Sequence, residues 1–114
     1  ASTSGQFYDY LEEFCRHLQV AQDKEEILLR KPWTDEDLGL TYFRLKDFEN
    51  FLKKNKFFEY KSHRIAQRLR DINGSSVVLK IKSRAVRVWK IPSFDTSDIE
   101  IDTPNFGNQQ EAPF

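Results

Sequence analysis

Residues 61–74 read KSHRIAQRLRDING, and this stretch decides the fold. Ile65, Leu69 and Ile72 recur at spacings of four and three residues, which is one face of a helix. Ser62 stands where an N-cap is wanted, its hydroxyl able to satisfy a backbone N–H, and Asn73-Gly74 supplies a left-handed stop. The pattern predicts a helix over about His63–Ile72. At about 100° per residue, the face opposite the apolar stripe carries His63, Arg64, Gln67 and Arg70, with Arg68 and Asp71 toward the flanks.

Downstream, Val77–Lys82 and Val86–Ile91 are rich in β-branched residues and read as two strands joined by Ser83-Arg84-Ala85, the second closed by Pro92. Alternation puts Lys80 and Lys82 on one face of their strand and Leu79 and Ile81 on the other. Upstream, Leu45–Asn55 forms a helix with a stripe of Leu45, Phe48, Phe51 and Leu52, and Lys53, Lys54 and Lys56 cluster at its end. The aromatic link from Lys56 to Tyr60 is short, so the next helix must pack close and at a steep angle.

Leu40–Arg44, bounded by Gly39, reads as a strand. Residues 6–29 read as helical, with Phe7, Leu11, Phe14 and Leu18 on one face and a break expected near Gln22-Asp23; Pro32 ends whatever precedes it. From Ser93 onward no period is visible and Asp, Asn, Gln, Thr and Pro dominate. The expected organisation is a linker or cloning remnant over 1–5, one domain over 6–92, and a flexible acidic tail over 93–114.

A formal net charge of zero conceals a strong polarity. Residues 1–37 carry four basic and nine acidic groups, residues 38–91 fourteen and four, and residues 92–114 none and five. Twelve basic residues lie between Lys53 and Lys90, against Glu59 and Asp71. Such a block points to a polyanionic partner, and the candidate contacts are His63, Arg64, Gln67, Arg68 and Arg70 on the third helix, Lys80, Lys82, Arg84 and Arg87 on the hairpin, and Lys53, Lys54 and Lys56. Gln and Arg suit the edges of adenine and guanine, whereas the lysines suit phosphates as point charges. Arg84, at the expected turn, is suited to a phosphate or a minor groove.

Other chemistries are poorly provided for. Cys15 and His17, with no further Cys or His cluster, do not make a tetrahedral metal site, and no base-and-orienter arrangement activates Cys15, which is read as a small core residue. The four glycines are scattered, so no phosphate-cradling loop exists. Trp33 and Trp89 read as core anchors; a platform for single strands would need exposed rings beside the basic stripe. No apolar run approaches the roughly 18–20 residues of a membrane span, and the single cysteine suits a reducing compartment. We therefore expect a soluble, cytoplasmic, non-catalytic chain with no cofactor and no membrane partner. Methionine is absent even from position 1, so the chain is expected to be a piece of a longer polypeptide.

The order strand, helix, tight turn, helix, β-hairpin is that of an α+β winged helix, here with an N-terminal helical extension and a disordered acidic tail. Residues 41–92, TYFRLKDFENFLKKNKFFEYKSHRIAQRLRDINGSSVVLKIKSRAVRVWKIP, resemble the winged-helix module of phage, plasmid and related replication proteins, commonly found beside primase or helicase domains. The resemblance lies in the YFRL strand, the KSHRIAQRLRDING helix and the paired strands ending VRVWKIP. It implies DNA binding in replication, on duplex or fork, alongside the rest of the parent polypeptide. That family typically carries a glycine in the hairpin turn, where this chain has Ser83-Arg84-Ala85. The alternative is a winged helix that assembles a protein complex, since the fold serves both ends. The terminal Glu111–Phe114 is similar to the acidic, Phe-ending tails of single-stranded-DNA-binding proteins. Such a tail either occupies the basic face, recruits a protein partner, or is plain disorder.

Overall fold

A computed structural model describes residues 2–16 and 21–94. It is an α+β fold with helices α1 (Thr3–Arg16), α2 (Leu45–Lys54) and α3 (Ser62–Asp71) and a 3₁₀ helix at Lys24–Leu29. Strands β1 (Trp33–Asp35), β2 (Leu40–Phe43), β3 (Ser75–Ile81) and β4 (Arg84–Pro92) form an antiparallel sheet in the order β1-β2-β4-β3. Among the described residues no helix is long and apolar enough to cross a membrane.

Along β2 and the second half of β4 the sheet is buried on both faces because its pleat sends alternate residues to two cores. In the register Phe43 faces Trp89 and Thr41 faces Ile91, so Phe43, Trp89 and Ile91 share a face. On that face they meet the apolar stripes of all three α-helices, including Phe7, Leu11, Phe14, Phe48, Leu52, Ile65 and Leu69. The rings interlock edge-on: Phe7 with Phe48 at 5.6 Å, Phe14 with Phe43 at 5.7 Å, Phe43 with Phe48 at 5.8 Å. On the other face Tyr42, Ile81 and Val88 bury Ile27 of the 3₁₀ helix, and Trp33 stacks on Tyr42 at 5.3 Å. The buried Thr41 hydroxyl is satisfied by those of Thr34 at 2.9 Å and Ser93 at 3.1 Å.

Several sequence expectations need correction. α1 starts inside the stretch set aside as a linker, because Ser2 caps it: the Gly5 N–H donates to the Ser2 hydroxyl at 3.0 Å. The break expected near Gln22-Asp23 is present, but the segment after it, Lys24–Leu29, is 3₁₀; α1 is described to Arg16, and the stripe residue Leu18 and His17 lie outside the described residues. β1 was not anticipated, since three residues beside an acidic turn give too short a period to read. Ser62 does not cap α3. Lys61 occupies the cap, and the Ser62 hydroxyl donates to Glu49 Oε2 of α2 at 2.6 Å. The hairpin turn is Lys82-Ser83, not Ser83-Arg84-Ala85; both residues have positive φ, 51° and 65°, the geometry of a type I′ turn. The domain also extends past 92: the Ser93 N–H donates to Gly39 O at 2.9 Å and Phe94 packs on the helical core. The rest of the expected tail lies outside the described residues.

Candidate nucleic-acid interface

α3 is held at three points, and each follows from local chemistry. Ile65 and Leu69 are buried in the helical core, with Ala66 and Ile72 packed at its edge. The Tyr8 hydroxyl of α1 donates to the Arg68 carbonyl at 3.1 Å. At the C-terminus the Gly74 N–H donates to Leu69 O at 2.8 Å and the Asn73 N–H to Arg70 O at 3.0 Å, closing the helix as a Schellman motif. Asn73 takes the left-handed conformation there, φ 68°. What remains free on α3 is the side carrying His63, Arg64, Gln67 and Arg70, all exposed.

The hairpin continues that side. In the β3–β4 register Val78 faces Arg87 and Lys80 faces Ala85, so Ser76, Val78, Lys80, Arg87 and Trp89 share one face. Arg87 Nη1 donates to the Ser76 hydroxyl at 3.2 Å, which holds its guanidinium over the sheet. Trp89, itself buried, carries the Arg70 guanidinium over its ring at 5.5 Å. Arg70 is therefore the joint between helix and hairpin. Arg64, Gln67, Arg70, Arg87 and Lys80 form one exposed basic side, with the 52% exposed Val78 set into it.

Other candidates lie elsewhere. Arg68 turns back into the structure: its Nη1 pairs with Asp71 Oδ2 at 2.9 Å, its guanidinium lies 5.7 Å from the Tyr60 ring centroid, and its Nε is buried without a partner. Asp71, the acid bordering the basic side, is neutralised by that pair. Arg84 faces Ile81 in the register, which puts it on the sheet face of Leu79 and Val86, away from Lys80 and Arg87. Lys82 stands in the turn. Lys54 lies on the far side of α2, beside Arg30, Asp47 and Phe14, and Lys56 occupies the left-handed position that ends α2, φ 61°. Lys53 stands between that side and the α3 side, where it also lines a groove with Lys61 and Ser62.

Three residues were missed in the sequence. Lys61 is exposed at the start of α3, and its place just before the helix was the available signal. Val78 follows from alternation, because Val77 and Leu79 point inward. Phe58 is 67% exposed, whereas its neighbour Phe57 is buried. A Phe-Phe pair in a short link places one ring in and one out, but the sequence does not say which.

Burial in the helical core pushes the Cys15 thiol far up. The Tyr8 hydroxyl is also raised, first by burial and then by the Asp71 carboxylate, and Tyr42 is raised by burial and by Asp35. Among the described residues no three His, Cys, Asp or Glu side chains are gathered to hold a metal. Comparison with protein-family models, with curated proteins and with solved structures gives no match.

Proposed function

We propose that this chain is a winged-helix module that binds DNA without catalysing a reaction on it. In this reading α3 enters the major groove and the β3–β4 hairpin is the wing. The observation that carries it is the joining of Arg64, Gln67 and Arg70 to Lys80 and Arg87 in one exposed basic side, coupled where Arg70 lies over Trp89. The order from Leu40 onward supports it too: a strand, two helices and a hairpin, with β2 pairing the second hairpin strand. α3 is ten residues, about 15 Å long, and its free side fits a groove about 12 Å wide. Gln67 and Arg70 then meet base edges, while Lys80 and Arg87 neutralise phosphates. The resemblance of residues 41–92 carries the further reading that the parent polypeptide works in replication, in the cytoplasm.

The test is a titration of duplex DNA at 50 and 200 mM salt with wild type, Arg87→Ala and the Gln67→Ala, Arg70→Ala pair. With roughly four to seven phosphate contacts, wild-type affinity falls on the order of a hundredfold or more across that range. Arg87→Ala lowers the salt slope by about one. The double variant loses about 1–3 kcal/mol on a preferred sequence and less on random duplex. A double variant that binds every duplex as wild type does removes α3 from the interface and favours a protein-assembly role.

A further inference from the structure

At the opposite end of α3 from the hairpin lies a groove of about 270 Å³ between α2 and α3. Leu52, Phe57, Tyr60 and Ile65 give it apolar and aromatic walls, Lys53 and Lys61 carry positive charge at its edge, and Phe58 lines it with two-thirds of its surface exposed. A single exposed phenylalanine is unremarkable on most surfaces. This one is different in its setting. The chain leaves α2 through a Schellman closure in which the Phe57 N–H donates to Leu52 O at 2.9 Å, which drives Phe57 inward and turns Phe58 out. The Phe58 N–H then donates to Glu59 Oε1 at 3.1 Å, and the acid that lines the groove, Glu49, accepts the Ser62 hydroxyl at 2.6 Å. The Glu49 carboxylate is thus engaged by a protein donor, and Lys53, Lys61 and the exposed Phe58 ring line the same groove.

An exposed ring beside cations is the arrangement that holds a single strand, because every base has a face to stack and every nucleotide a phosphate to neutralise. The groove also shares Lys61, Ser62 and Ile65 with the start of α3, so a strand leaving the exposed side of that helix reaches it directly. We propose that this groove takes an unpaired base of single-stranded DNA, stacked on Phe58 with its phosphates against Lys53 and Lys61. The inference rests on the reading of α3 as the duplex face and deepens it: the module binds the junction between paired and unpaired DNA.

The experiment compares three probes on the full chain: a blunt duplex, the same duplex with an unpaired oligo(dT) arm, and oligo(dT) alone. Wild type should bind the armed duplex roughly tenfold tighter than the blunt one, the yield of one stacked base. Phe58→Ala, at a site with little packing to lose, abolishes that advantage and leaves blunt-duplex affinity unchanged; Phe58→Tyr retains it. Equal affinity of wild type for armed and blunt duplex, or an advantage that survives Phe58→Ala, overturns the inference and leaves the duplex reading intact. Phe58-dependent binding of oligo(dT) with no binding of blunt duplex keeps the groove and removes the duplex reading. Failure to bind any probe removes both.

Discussion

A Cβ built on Gly74 would lie 2.6 Å from Leu69 O and 2.9 Å from Ile91 Cγ2. The first of these atoms cannot retreat, because it accepts the Gly74 N–H that closes α3. Gly74→Ala therefore forces the end of the helix away from β4 and should destabilise the domain by about 1–3 kcal/mol, read from the midpoint of urea unfolding. Asn73→Gly is the contrast: the left-handed φ is at Asn73, so glycine there is tolerated or slightly stabilising. An unchanged midpoint for Gly74→Ala would mean that helix and strand are not in contact there. The dipeptide was legible in the sequence as a helix stop, but the roles within it were not. Asn73 supplies the conformation and Gly74 the room, and the room depends on Ile91, seventeen positions away. The same holds for Arg68 and Arg70. They are two positions apart with the same side chain, yet one is taken by Asp71 and Tyr60 and the other stands over Trp89. Helix geometry set them on different sides; only the packing of Tyr60 and Trp89 decided which was free.

At the scale of elements, the hairpin stores conformational cost in its turn. A type I′ turn needs positive φ at both central residues, for which Asn-Gly is best suited, and here Lys82 and Ser83 adopt it. Replacing the pair with Asn-Gly should raise stability by about 1–2 kcal/mol, seen as a rise of several degrees in the thermal midpoint. A fall in the midpoint would contradict the turn type. Nothing in Lys82-Ser83 announces such a turn, which is why the first strand reads one residue too far into it, the second starts two residues late, and Arg84 falls at the expected tip. The longer elements were legible because their apolar periods were strong: α2 and α3 matched to within a residue, and β2 to its last position. The 3₁₀ helix and β1 were not, since six and three residues are too few for a period to separate from its neighbours.

At the scale of the whole chain, the division of charge was legible outright, and it makes its own prediction. Residues 95–114 hold five acids and no base, tethered to a segment with fourteen bases and four acids. Ending the chain after Phe94, which belongs to the core, should tighten duplex binding several-fold at low salt, with the difference vanishing at high salt as screening shortens the reach of the tail. Equal affinity of both lengths at low salt would show that the acidic segment does not compete for the basic face. What the sequence did not show is the second core. Ile27 and Leu28 read as part of a helix, whereas they cover the outer face of the sheet with Val77, Leu79 and Val86 against them. The hairpin is in consequence pinned from below along much of its length and is not a loose arm. A ligand that settles on its other face meets a surface already in its final shape. Little of the hairpin has to be ordered on association, so the heat-capacity change of binding to it should reflect water leaving the contact itself and carry none of the large contribution that accompanies coupled folding.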